Sequence, residues 1–156
     1  MPDPVPWACA LLLLVAANAV PWLLGHALGE RFAAPIDLGF TLKDGQRLLG
    51  AHKTWRGLVA GMLGCGIAAM LCGNAFALGL AFGGLSLAGD AVSSAMKRRL
   101  RLTAGAQLPL FDQLLEALLP LVVLRAPLGL SWVDVALAAA MFTAGDLALT
   151  GRRRRR

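Results

Sequence analysis

Five apolar stretches alternate with polar connections that carry almost all of the charge, and that alternation limits the chain to membrane-spanning architectures. The stretches run from about Val5 to Leu28, Leu58 to Cys72, Ala75 to Met96, Leu114 to Leu124 and Trp132 to Leu149. Most approach the roughly 20 residues needed to cross a bilayer, and the fourth is shorter and broken by proline. A mean hydropathy of +0.67 fits that reading. With five spans, fourteen of the fifteen Lys and Arg residues fall on one side. They are Arg31, Lys43, Arg47, Lys53 and Arg56, then Lys97, Arg98, Arg99 and Arg101, then the tail Arg152 to Arg156. Only Arg125 falls on the other side. Basic loops mark the cytoplasmic face. The expectation is an all-α integral membrane protein, a bundle of about five transmembrane helices with the N-terminus outside and the C-terminus cytoplasmic.

The rest of the organisation follows from that frame. Residues 1–156 read as one membrane-embedded domain with cytoplasmic loops at about 30–56 and 97–112 and a basic tail at 152–156. The tail beside a span signals topology and anionic lipid, so nucleic acid is set aside as a partner. Ala17-Asn18-Ala19 resembles a leader cleavage site, but no basic segment precedes it and the apolar run continues past it. It reads as a retained helix, kinked near Pro21. Cys9, Cys65 and Cys72 sit in apolar spans without zinc spacing and read as buried free thiols. Gly57, Gly61, Gly64, Gly79 and Gly83 recur at helical spacing and allow close helix contact in lipid. Ala-Gly-Asp occurs twice, at 88–90 and 144–146, in surroundings too different for a repeat.

Three groups of residues can carry chemistry. Asp90 lies inside a span, roughly 8 Å below a helix end near Ala95, where an ionised group needs a partner or water. Ser94 and Lys97 share its helical face. Asp90 is either half of an Asp–Lys pair that locks the helix, or a site carboxylate below a phosphate-facing cation. Asp112 and Glu116 are four apart at a helix start. They either complement the helix dipole or hold a divalent metal. His52, Lys53, Thr54 and Arg56 form a donor cluster suited to polyphosphate, or else a solvated face. The spacing is not that of a P-loop.

The order of these groups carries a resemblance. Ala17-Asn18-Ala19-x-Pro21, Pro35-Ile36-Asp37-x-Gly39, Asp44-Gly45-x-Arg47 and His52-Lys53-Thr54-x-Arg56-Gly57 come first. Gly89-Asp90-x-x-x-Ser94-x-x-Lys97-Arg98 and Pro109-x-x-Asp112-Gln113 follow. Together they resemble the CDP-archaeol synthase family, which groups with the CDP-diglyceride synthetases. Each piece is weak alone, and the ordered set is specific. The resemblance implies transfer of CMP from CTP to a lipid phosphate, either 2,3-di-O-geranylgeranylglyceryl phosphate or phosphatidic acid, releasing pyrophosphate. It implies Mg²⁺ held by Asp90, Asp112 and Glu116, with Asp90, Asp112 and Lys97 catalytic. Lys53, Thr54, Arg56, Ser94, Arg98, Asp44 and Asn18 would bind the nucleotide and its phosphates. A homodimer is compatible with this reading. One departure stands out. The family places acids at i and i+3, whereas this chain has Leu115 there and Glu116 at i+4. A glutamate one residue later stays on the same face and reaches further, which keeps metal binding; the alternatives are a subgroup with another substrate and lost activity. The rival from another class is a small transporter or structural membrane protein, with Asp90 on a transport path.

Overall fold

A computed structural model of the chain describes residues 6–41, 47, 49, 53–99 and 109–153. Five helices follow the five apolar stretches: α1 (Pro6–Leu28), α2 (Trp55–Leu71), α3 (Phe76–Arg99), α4 (Pro109–Val123) and α5 (Trp132–Arg153). Among the described residues, two helices, α1 and Phe76–Lys97 of α3, are long and apolar enough to cross a membrane, and α2 is a shorter apolar helix. The helix runs on through Pro21 in α1 and Pro120 in α4. The third, fourth and fifth helices each extend into charged sequence beyond the apolar run. Helical hydrogen bonds are made by the backbone, so a helix need not stop where its side chains turn polar.

The ends are set by local chemistry. Thr54 caps α2 from an extended conformation, its hydroxyl accepting from Gly57 N at 3.1 Å. At the other end of α2 the chain turns left-handed at Gly73, where φ is 77°. Asn74 N donates to Ala69 O at 2.9 Å and Gly73 N to Met70 O at 3.0 Å, which satisfies the last carbonyls. Ser131 and Asp134 exchange bonds at the start of α5: Asp134 N donates to Ser131 Oγ at 3.1 Å and Ser131 N to Asp134 Oδ2 at 2.9 Å.

Successive helices touch in order, and α5 returns to α1, closing a ring. Leu13 and Leu14 of α1, Phe82 of α3 and Leu121 of α4 fill the centre, with small residues such as Ala69, Ala117 and Ala138 between them. Gly61, Gly64, Gly79 and Gly83 permit close approach as expected, whereas a Cβ at Gly57 would meet α1 only at ordinary contact distance, 3.9 Å from Pro21 Cβ. A Cβ at Gly79 would collide with the Cys65 carbonyl, and one at Gly83 would come within 2.8 Å of Met62 Cα. Lipid is as apolar as leucine, so helices associate there through such close packing rather than through hydrophobic burial. The outer surface agrees: Leu12, Leu23, Val59, Ile67, Val133 and Leu137 are all exposed. Apolar side chains over so much of a surface suit lipid rather than water. Cys9 and Cys65 are buried free thiols as expected, whereas Cys72 at the end of α2 is only partly buried.

Candidate active site

The connection between α1 and α2 is pinned back onto the start of α2. Pro35 and Thr54 form an antiparallel bridge. Ile36 N donates to Lys53 O at 2.8 Å and Trp55 N to Ala34 O at 3.0 Å. This pairing holds Lys53 and Thr54 over the ring instead of leaving them in solvent. Below them lies a cavity of about 330 Å³ between α1, α2, α3 and α4. Pro21, Leu58 and Leu87 give it an apolar wall, and Asn18, Lys53, Thr54, Asp90 and Glu116 gather on its lining.

Two ion pairs cross between elements. Lys53 Nζ binds Asp90 Oδ2, and Lys97 Nζ binds Asp112 Oδ2 at 2.7 Å. Asp90 and Lys97 are seven residues apart on one face of α3, yet each takes its partner from a neighbouring element. The expected alternative of an Asp–Lys pair within α3 is therefore replaced by Lys53–Asp90. The helix also continues to Arg99, four residues beyond Ala95, so Asp90 sits nearer the middle of α3 than the sequence suggested. Gly89 explains why α3 and α4 meet here. A Cβ on it would collide with the Leu115 carbonyl and lie 3.1 Å from Glu116 Cα. Its absence lets Asp90 and Glu116 share the cavity. Asn18 Nδ2 donates to Leu14 O at 3.1 Å, and Asn18 and Glu116 both line the cavity.

The acid at i+4 on α4 thus reaches the cavity, while Leu115 supplies a backbone contact to Gly89. The three expected metal ligands divide. Asp90 and Glu116 line the cavity, and Asp112 lies one turn before Glu116 in its pair with Lys97. Among the described residues no three His, Cys, Asp or Glu side chains gather closely enough to hold a metal between them. Asp112 Oδ1 is nonetheless buried, and among the described residues it has no hydrogen-bond partner. An all-carboxylate donor set with a spare oxygen fits a hard divalent cation, which commonly takes one or two carboxylates and completes its shell from substrate phosphates and water.

The other expected residues lie as follows. Ser94 is half-buried on α3. Arg56 stands outside the cavity lining, its Nη1 donating to Gly29 O at 2.8 Å and Arg31 O at 2.5 Å, so it ties the start of α2 to the turn that follows α1. Asp44, His52 and the side chain of Arg98 lie outside the described residues. Two further groups carry weight that sequence reasoning did not give them. Asp37 has a fully buried side chain, which accepts from Arg47 Nη2 at 3.0 Å, Gly39 N at 3.1 Å and Leu49 N at 3.2 Å. Gln113, buried on α4, donates from Nε2 to Asp146 Oδ2 on α5. The signal for both was present. Asp37 lies in a quoted motif, and Asp146 closes the second Ala-Gly-Asp triplet.

Known proteins resemble this chain over nearly its full length. A family described as CarS-like, CDP-archaeol synthase, matches residues 10–76 and 71–149. The CDP-archaeol synthase of Aeropyrum pernix is 38% identical over 143 residues, covering 83% of this chain and 75% of that protein. The CDP-archaeol synthase of Hyperthermus butylicus is 36% identical over 117 residues, covering 71% of this chain and 67% of that protein. A solved structure of an intramembrane enzyme for archaeal membrane lipids biosynthesis has the same fold. It aligns with a TM-score of 0.74 at 35% identity, over 91% of this chain and 90% of that one. The fold and the sequence agree, and the chain belongs to the CDP-archaeol synthase family, membrane cytidylyltransferases that form CDP-lipids from CTP.

Proposed function

We propose that this chain transfers CMP from CTP to the phosphate of a membrane lipid, with 2,3-di-O-geranylgeranylglyceryl phosphate as the substrate type and a site that faces the cytoplasm. The observation that carries the reading is the cavity itself. One wall is apolar, and Lys53, Asp90, Glu116 and Asn18 converge on it. Such a lining suits a substrate with hydrocarbon tails and an anionic head. The relatives' activity supports the same reaction. The basic loops support the orientation, five spans with the N-terminus outside.

A phosphate monoester is largely dianionic near neutral pH, with a second pKa of about 6, so it attacks without a general base. One lipid phosphate oxygen bonds to the α-phosphorus of CTP. The bond from that phosphorus to the bridging oxygen breaks, and pyrophosphate leaves. The difficulty is electrostatic, because an anion must approach a polyanion. Lys53 and Lys97 offer cations at two levels of α3, positioned by Asp90 and Asp112 before substrate arrives. Preorganised charge of this kind lowers the barrier without reorganisation during reaction. Asn18 and Thr54 orient the headgroup from the cavity wall. Asp90 and Glu116, which share the cavity, would supply carboxylates to a divalent cation, Mg²⁺ by donor type, with phosphate and water completing its shell, and the cation would further neutralise phosphoryl charge when bound.

The test is CMP transfer from labelled CTP by purified protein with Mg²⁺, offering the unsaturated ether lipid phosphate and phosphatidic acid separately. Labelled lipid from the ether substrate, lost in Asp112→Asn, is the expected result. Transfer to phosphatidic acid alone would keep the chemistry and change the lipid. Transfer to neither, by folded protein, would refute the assignment.

A further inference from the structure

The first loop turns three bulky apolar side chains away from the protein. Phe32, Leu38 and Phe40 are 79%, 81% and 61% exposed. Phe32 and Leu38 hold left-handed backbone, with φ of 58° and 46°. Large side chains rarely adopt that conformation, and a water-facing turn ordinarily places glycine or asparagine there. The segment is also well tied. The buried Asp37 carboxylate accepts from Gly39 N, Arg47 and Leu49 N, so the residues on either side of it are held outward by the same anchor.

An apolar stripe on α2 begins beside this segment. On α2, Trp55, Val59, Leu63, Ile67 and Leu71 recur every four residues and are all exposed. The hydrogen bond from Trp55 N to Ala34 O places the loop segment at the head of that stripe. Helix α2 has 17 residues. At 1.5 Å per residue such a helix reaches roughly 26 Å, a few ångströms short of a hydrocarbon core of about 30 Å. The loop segment that carries Phe32, Leu38 and Phe40 pairs with the N-terminal end of this helix. Exposed Arg31 beside Phe32 suits phosphate headgroups at the same level.

We infer that Phe32, Leu38 and Phe40 form an interfacial foot that dips into the lipid bilayer at the boundary between headgroups and acyl chains. Ile36, within the same segment, and Lys53, hydrogen-bonded to it through the backbone, line the cavity. The foot therefore fixes the cavity mouth at headgroup depth, where a lipid phosphate meets Lys53 without leaving the membrane. This last consequence rests on the cytidylyltransferase reading, and the insertion itself does not.

The experiment measures depth. The full chain, with Cys9, Cys65 and Cys72 replaced, is reconstituted into phosphatidylcholine and phosphatidylglycerol vesicles. A nitroxide is attached at Leu38→Cys or at Phe40→Cys, with Ile67→Cys as a reference within the stripe. Paramagnetic relaxation by oxygen, which partitions into lipid, is compared with relaxation by a water-soluble nickel chelate. The expected result at both loop positions is strong relaxation by oxygen and weak relaxation by nickel, approaching the label at position 67. Nickel accessibility equal to that of free label in buffer at both positions would overturn the proposal. The readout needs no turnover, so a failure of CMP transfer would refute the functional reading and leave the depth result standing. If transfer is observed, Leu38→Asp/Phe40→Asp should raise KM for the bilayer-borne lipid several-fold and leave KM for CTP unchanged. An unchanged lipid KM would refute the role at the cavity mouth.

Discussion

Lys53 sits at the join of three structural facts. Its backbone is fixed by the pairing with Ile36, its ammonium binds Asp90 on α3, and its side chain lines the cavity. A cation placed there compensates an acid within the bundle and, on the proposed reading, meets an anionic substrate. Removing one preorganised charge donor from such a site typically costs about 10²–10³-fold in turnover. Lys53→Met should therefore lower kcat/KM for CMP transfer by about that factor, with Lys53→Arg recovering part of the loss. The measurement is turnover of labelled CTP, on protein whose helical content matches the parent. Unchanged activity in Lys53→Met would mean that Lys53 serves only to balance Asp90. Arg56, three residues on, carries a guanidinium suited to phosphate, and its Nη1 is engaged by the carbonyls of Gly29 and Arg31.

At the scale of elements, α4 is held from both sides by the two Ala-Gly-Asp triplets. From α3, Gly89 admits the α4 backbone and Asp90 faces the cavity shared with Glu116. From α5, Asp146 accepts from Gln113, one residue after Asp112 and three before Glu116. The rotation of α4, and hence the direction of both acids, is fixed by these contacts. Gln113→Leu and Asp146→Leu should each destabilise the protein and reduce CMP transfer, and the double variant should cost little more than either alone. Contacting partners in one network show coupling of about 0.5–3 kcal/mol, which thermal melting of the four proteins measures. Strict additivity would show that the two side chains act independently.

For the whole molecule, the ring closes because each helix packs on the next and α5 reaches α1. The ring is sealed through its centre by Leu13, Leu14, Phe82 and Leu121, and the cavity forms toward the end where the first loop folds back. The described carboxylates do not form a complete cage for a metal. A metal bound partly through substrate phosphates is easily exchanged. Chelation by EDTA should thus abolish CMP transfer, Mg²⁺ should restore it, and the helical signal in circular dichroism should stay constant throughout. Loss of helicity on chelation would make the metal structural, and activity that survives chelation would remove it from the reaction.

The apolar runs were enough to place all five helices, because a chain in lipid must satisfy its backbone within each segment and helices are the economical way to do so. The ordered motifs were enough to indicate the family, because they record residue types at fixed separations along the chain. Helix ends beyond the apolar runs were less legible, since capping by Thr54, Gly73 and Ser131 depends on local geometry as well as composition. The pairings were not legible at all. Lys53 meets Asp90 across 37 positions and Gln113 meets Asp146 across 33. Helical periodicity can place Asp90, Ser94 and Lys97 on one face, but it cannot say which neighbour that face will meet. Likewise the shift from position 115 to Glu116 was ambiguous on paper. The close approach of α4 to Gly89 sets its place in space, with the glutamate on the cavity lining and Leu115 as a backbone contact. Sequence determined the elements and their chemistry, because those depend on short-range order along the chain. Tertiary structure alone decided which charges face one another, because ion pairs and hydrogen bonds act over a few ångströms in space whatever the separation in sequence.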